Sequence, residues 1–258
     1  MTQRFGTFLT EDAVVKYPHV HLCFDDRSVS NWYALRDLLN KYQAKVVFYV
    51  DSFHLLESDE LQMLRDLRSD GHVIGCHSKS HKDAIVYSRR FNVEQYIDDE
   101  ILPAMENMAG AGFKPTHFAF PLSRFDDVLY SSISPLFCYI RPGNESHYYS
   151  GNRMYFNPSR LDKEETPKEA YIRAGNLREV LNELQATADA KKGISIVFHD
   201  VRLAGAQAHA GTHGHEYITP EELEQILKKL NEVGFGYETF EKICKYGADP
   251  FDKPDALV

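Results

Sequence analysis

The chain has 258 residues, 43% of them hydrophobic, with a formal net charge of -9 and its 29 Lys and Arg scattered rather than gathered into runs. That much apolar content buries a large core, and α/β barrels reach this size as one unit, so one domain over residues 1–258 is expected. An acidic chain without a basic stripe excludes nucleic acid as a partner.

Met1 to His21 carries polar residues throughout and lacks the apolar run of an export signal. The longest apolar runs, Val46 to Val50 and Ile194 to Phe198, are far shorter than the roughly 18 residues a membrane helix requires, so no membrane span is expected. Cys23, Cys76, Cys138 and Cys244 are widely spaced without a CxxC pair, which suits reduced thiols. The expectation is a soluble, cytoplasmic protein.

Short apolar runs alternate with segments of helical period. His19 to Phe24 reads as a strand. Trp32, Leu35, Leu38, Leu39 and Tyr42 mark a helix, and Val46 to Val50 is the next strand, a βαβ opening. A helix from about Asp59 to Ser69, a strand at Val73 to Cys76 and a helix from about Val93 to Ala109 follow, the last kinked by Pro103. His117 to Phe120, Leu136 to Ile140, Ile194 to Phe198 and Phe235 to Thr239 read as further strands. Thr166-Pro167-Lys168-Glu169 and Thr219-Pro220-Glu221-Glu222 each offer an N-cap hydroxyl, a proline at the first helical position and a glutamate at the third, so each predicts a helix start. Gly234 suits the end of the second. Seven or eight strands alternating with helices favour a closed or partly closed parallel barrel, whose function sits at the C-terminal strand ends.

Three polar clusters fall at such ends: Asp25-Asp26, His77 to His81, and His199-Asp200. His77 and His81 are four residues apart, which on a helical turn puts both imidazoles on one face, able to grip one ion. A carboxylate would complete a facial set of three and leave positions open for water and substrate. Consecutive strand residues point to opposite faces, so Asp25 and Asp26 serve one site only if the strand ends between them. One can then bind metal while the other takes a proton from water. His199, with an imidazole pKa near neutrality, suits a general acid.

The order Phe24-Asp25-Asp26, His77-Ser78-Lys79-Ser80-His81, Phe118-Ala119-Phe120-Pro121 and Val197-Phe198-His199 resembles the polysaccharide deacetylases (NodB-like, carbohydrate esterase family 4) from about His19 to Glu241. The resemblance implies a distorted (β/α)7 barrel that removes N- or O-acetyl groups from sugars with a divalent metal, usually zinc. It implies Asp25 as catalytic base, Asp26, His77 and His81 as metal ligands, His199 as catalytic acid, and a backbone amide near Pro121 for the oxyanion.

Two departures bear on the site. Arg27 stands where the family usually has glycine, so the loop over the base differs or meets an anionic substrate group. Ala119 stands where many members carry the arginine that holds the base. Arg141 at the next strand end, or Arg124, is a candidate to replace it. His209, His213 and His215 fit solvated loop residues better than substrate contacts. The function expected is hydrolysis of an N-acyl, most simply N-acetyl, group on an amino sugar in a glycan, lipid-linked or nucleotide-linked form. The alternatives are another small amide or formamide on the same scaffold, or a non-catalytic carbohydrate-binding relative. The oligomeric state is not readable from the sequence.

Overall fold

The computed structural model describes residues 18–141, 168–171, 176–203 and 217–241, the backbone alone for 168–171. Seven parallel strands run in the order β5-β4-β3-β2-β1-β7-β6. They are β1 (His19–Asp26), β2 (Val46–Val50), β3 (Val73–Cys76), β4 (His117–Phe118), β5 (Tyr139–Ile140), β6 (Lys168–Tyr171) and β7 (Gly193–Phe198). A small parallel pair, β8 (Asp200–Val201) and β9 (Tyr217–Ile218), lies beyond β7.

The sheet is curled. In a flat sheet β1 and β5, four steps apart, would lie about 19 Å from each other. Instead the His21 and Tyr139 rings meet with centroids 5.3 Å apart. The curl follows from what alternation supplies. Val20, Leu22 and Phe24 face outward into one core with Trp32, Leu39, Phe48, Ile194, Ile196 and Phe198, under the helices. Cys23, Val47, Tyr49, Val73, Ala119 and Val197 face inward and form a second, smaller cluster in the lumen. Two glycines make room there: a Cβ at Gly75 would lie 2.7 Å from the Tyr49 ring, and one at Gly193 would lie 2.3 Å from the His19 ring.

The last strand, β10 (Gly236–Tyr237), pairs with His19 and Val20 of β1, below the point where β2 begins pairing at Leu22. The chain then closes the barrel floor. Glu238 and Thr239 offer their carbonyls to His21 Nδ1 at 3.0 Å and His117 Nε2 at 2.7 Å. Phe240, fully buried, stacks on Tyr139 with centroids 4.5 Å apart.

The helices are α1 (Val29–Tyr33), α2 (Arg36–Lys41), α3 (Ser58–Ser69), α4 (Ala84–Arg90), α5 (Val93–Tyr96), α6 (Leu102–Gly110), α7 (Asp127–Ile133), α8 (Leu177–Asp189) and α9 (Pro220–Glu232). Between α5 and α6, Ile97–Ile101 forms one π-helical turn. The helix expected as one kinked unit from Val93 is therefore three pieces. Pro103 lacks the N–H that would bond the carbonyl four residues back, and the wider turn lies over that gap.

One expected helix is a strand. Lys168–Tyr171 pairs residue by residue with Ile194 to Val197 instead of starting the helix that its capping signals predict. The open edge of β7 offers a complete ladder of hydrogen-bond partners, and that tertiary pairing overrides a local cap worth about 1 kcal/mol. Thr166 and Pro167 lie outside the described residues.

The second capping signal holds. Thr219 Oγ1 accepts from Glu222 N at 3.2 Å, Glu222 Oε2 accepts from Thr219 N at 2.9 Å, and Gly234 follows the helix at φ +81°. Leu223, Ile226, Leu227 and Leu230 along its inner face are fully buried. Thr219→Ala should cost about 0.5–2 kcal/mol of unfolding free energy. Urea denaturation should show a lower midpoint with an unchanged slope, and an unmoved midpoint would contradict the cap.

Candidate active site

Alternation carries Asp25 into the top of the lumen, with 3% of its surface exposed. Asp26 would then point outward. It does not, because its backbone turns to φ +79°, a left-handed conformation that Asp tolerates better than most residues. Both carboxylates thus reach one site although β1 continues through Asp26.

Opposite them the chain leaves β3 at Cys76 and runs from His77 to Asp83 without helix. The helical turn expected for His77 and His81 is absent. Left-handed backbone at Ser78 (φ +69°) and His81 (φ +55°) folds a tight loop instead, closed by the His81 N–H donating to Ser78 Oγ at 3.0 Å. The two imidazoles still converge, with ring centroids 5.0 Å apart.

The donor set fits a divalent ion. One ligand atom each from Asp26, His77 and His81 lies within 4.8 Å of the others. Asp26 Oδ1 is 3.3 Å from His81 Nε2 and 3.8 Å from His77 Nε2. A tetrahedral ion with bonds of about 2.0–2.1 Å separates its ligand atoms by about 3.4 Å. Asp26 Oδ1 is buried yet makes no hydrogen bond of sound geometry, an orphan that an ion would satisfy. His77 Nδ1 lies 2.8 Å from the Ala119 carbonyl, which fixes the proton there and leaves Nε2 with its lone pair toward Asp26. Burial lowers the His77 pKa to about 4, so the ring is neutral and ready to ligate near pH 7. Burial would also lower His81, but Asp26 beside it outweighs that and raises it.

Asp25 has a different partner. Arg141, with 2% of its surface exposed, donates from Nη1 to Oδ1 at 2.5 Å and from Nη2 to Oδ2 at 2.7 Å. The guanidinium also lies 5.1 Å from the Tyr49 ring centroid and 3.4 Å from Cys23 Sγ. Burial alone would raise the Asp25 carboxyl. Arg141, His77 and His199 together hold it below the usual carboxylate range.

His199, at the end of β7, is near enough for its charge to act on both aspartates. Its backbone is held from behind: Trp32 Nε1 donates to the His199 carbonyl at 2.8 Å, and Asn31 donates to Asp200 at 2.7 Å. Pro121 is buried at the start of a short turn, Pro121–Ser123, and Arg141 Nη2 lies 3.5 Å from Ser123 Oγ. Arg124 forms an ion pair with Asp83, the N-cap of α4. Arg27 is exposed on the rim. His209, His213 and His215, with Pro142 and Gly143, lie outside the described residues.

Sequence reasoning missed Asp51. It directly follows β2, its N–H donates to the Asp26 carbonyl at 3.1 Å, and burial and the Asp26 charge raise its carboxyl pKa. Its odd place in the β2 alternation was a signal available in the sequence.

The family model for polysaccharide deacetylase matches residues 13–135, the stretch that holds Asp25, Asp26, His77 and His81. Over that stretch the chain is similar to this family. Its fold is similar to that of the Xyl-CE4 domain of a multidomain xylanase from the hindgut metagenome of Trinervitermes trinervoides, at 18% identity and TM-score 0.55, over 92% of this chain and 94% of that one. The catalytic domain of a peptidoglycan N-acetylglucosamine deacetylase from Eubacterium rectale is 17% identical at TM-score 0.53, over 90% of this chain and 96% of that one. A mutant of a CE4-family pseudoenzyme with restored activity is 16% identical at TM-score 0.54, over 88% and 68% respectively. A search of the curated proteins finds no match.

Two outcomes follow from this geometry. His77→Ala should strip most bound metal, and equal metal in wild type and variant by elemental analysis would contradict the triad. The raised pKa of His81 means its proton must leave before an ion can bind. Affinity for zinc should therefore rise with pH through the imidazole range, about 6 to 8, and a dissociation constant flat across that range would contradict it.

Proposed function

We propose that this chain is a metal-dependent hydrolase that removes an N-acetyl group from an amino sugar in a glycan, lipid-linked or nucleotide-linked form. The observation that carries the reading is a buried, doubly hydrogen-bonded Arg141–Asp25 pair beside three convergent metal donors. A carboxylate kept charged at such a position is fit to accept a proton, and structural ion pairs have no need of an ion site alongside. The named activities of the structural neighbours, among them peptidoglycan N-acetylglucosamine deacetylation, support a sugar amide as substrate.

Asp26, His77 and His81 would hold the ion, with zinc suited to two imidazoles and one carboxylate. Bound there, it supplies Lewis acidity to the acyl oxygen and lowers the pKa of water. The protein does the rest. Asp25, fixed by Arg141, takes the proton as water attacks the acyl carbon. His199 gives a proton to the departing nitrogen, so the amine leaves neutral. A backbone amide near Pro121 would donate to the developing oxyanion. Arg27 on the rim is placed to meet an anionic group of the substrate, such as a phosphate. The reduced, buried Cys23 and Cys76 support a cytoplasmic setting.

The direct test is acetate release by metal-loaded protein from acetylated amino sugars presented free, nucleotide-linked, lipid-linked and within glycans, with formate and ammonia measured alongside. Acetate from none of them would overturn the reading. Asp25→Asn should keep the metal and lower turnover about 10²- to 10⁴-fold, whereas a wild-type rate would remove Asp25 as the base.

Arg141 holds the Asp25 pKa down, so its loss lets that pKa rise. Asp25 is then charged only at higher pH. In Arg141→Met the acid limb of the kcat/KM profile should move upward at unchanged metal content. An unmoved limb would show that Arg141 does not support the base.

A further inference from the structure

The loop that presents His77 and His81 does not hold its shape alone. Two of its five residues, Ser78 and His81, adopt left-handed backbone without being glycine, a conformation that persists only when surroundings enforce it. Much of the enforcement comes from one residue outside the loop. Glu100, with 4% of its surface exposed, accepts the Ser80 N–H on Oε2 at 2.8 Å and the Ser80 hydroxyl on Oε1. Its backbone carbonyl accepts the Lys79 N–H at 2.9 Å. Lys79 and Ser80 are two of the three residues between the histidines, and their three bonds all go to Glu100.

Its placement depends on the irregular backbone there. Glu100 lies in the π turn Ile97–Ile101, in a run of three acidic residues. Of its two neighbours, Asp98 is exposed, and Asp99 is spent on Tyr87 and Gln95 near the surface. Only Glu100 is turned inward. A buried carboxylate is costly unless it is hydrogen-bonded, and Ser80 of the metal-facing loop donates to both oxygens of this one. Nothing in the reaction described above uses it.

We propose that Glu100 is a positioning residue that pre-shapes the His77–His81 loop so that both imidazoles face Asp26, and thereby sets the affinity of the site for its ion. The proposal rests on the reading of Asp26, His77 and His81 as a metal site. Glu100 touches neither ion nor substrate and acts through Ser80 and Lys79.

The test is zinc affinity of metal-free protein, measured by competition with a chromophoric chelator, beside the melting temperature of the same metal-free samples. Glu100→Gln keeps the shape of the side chain and one acceptor oxygen. Ser80→Ala removes one bond and leaves Glu100 in place, which guards against a Glu100 variant that fails to fold. Removing partners that orient ligands costs roughly 10- to 100-fold in metal affinity, so Glu100→Gln should weaken zinc binding about 10-fold or more and Ser80→Ala by less. In the double variant the Ser80 change should add little, because its partner is already gone. A merely structural Glu100 predicts the reverse: lower melting temperature, with folded protein binding zinc at wild-type affinity. That result, or wild-type affinity in both variants, overturns the proposal. His77→Ala is the control that separates the two readings. If it binds zinc like wild type, the metal site itself is wrong and the proposal falls with it. If His77→Ala loses zinc while Glu100→Gln does not, only the role of Glu100 fails.

Discussion

Every second residue of a strand in a curled parallel sheet must enter the lumen, and what fills that lumen decides the rest of this molecule. Here the inward set reads His19, His21, Cys23 and Asp25 on β1, Val47 and Tyr49 on β2, Val73 and Gly75 on β3, His117 on β4, Tyr139 on β5, and Gly193, Ser195 and Val197 on β7. That is a polar column, not the branched aliphatic filling that packs many barrels. Its lower part is sealed by β10 and by Phe240 against Tyr139. Its upper part ends in charge, because the next inward steps off the strands are Asp25, His77, Arg141 and His199. The site is the last layer of the lumen, raised to the mouth by the same alternation that packs the floor.

Charge in so dry a place needs a partner of good geometry, since breaking a buried ion pair costs far more than breaking an exposed one. Asp25 has that partner in Arg141, through two hydrogen bonds on a guanidinium further steadied by the Tyr49 ring. The arginine comes from the end of β5, whereas the family pattern places one at Ala119, beside β4. Neighbouring strand ends are about 4.8 Å apart, less than the reach of an arginine side chain, so either can serve the same carboxylate. The exchange also frees position 119. Its small side chain packs in the inner cluster and its carbonyl holds His77. A guanidinium on β4 would compete for that space.

What the sequence made legible follows from which features are local in chain but shared in space. Period-two alternation and apolar runs located β1, β2, β3 and β7 within two residues. Polar residues at the ends of β1, β3 and β5 located Asp25, Asp26, His77, His81 and Arg141, which the structure brings together. The failures share a cause: each depends on a partner distant in the chain. Lys168–Tyr171 is a strand because β7 has a free edge. The His77 loop is not helical because Glu100 and Ser78 stabilise a left-handed path. Glu100 was invisible as a site neighbour because nothing in its acidic run marks which carboxylate turns inward, whereas Asp51, one inward step beyond Tyr49, could have been read from the β2 alternation. The positive φ of Asp26 was foreseeable only as a requirement, since two adjacent carboxylates cannot share a site along an undisturbed strand.

The only tryptophan shows how the outer core governs the chemistry of the inner one. Trp32 is fully buried against Phe24 and Phe48, on the helix side of the sheet and away from the lumen. It reaches the site only through its indole N–H on the His199 carbonyl, while Asn31, one residue earlier, ties Asp200. A histidine that must deliver a proton on one face needs its backbone fixed from the other, because an error of about 1 Å at the reacting atoms lowers the rate by orders of magnitude. Helix α1 follows directly after the Asp25-Asp26 corner. It therefore ties the end of β7 to the end of β1 by bonds that never enter the lumen. The two strand ends that carry the proposed base and acid are adjacent in the sheet, joined by backbone pairing below and by Trp32 and Asn31 above. Their spacing is thus set by the packing of the outer core rather than by any contact within the site.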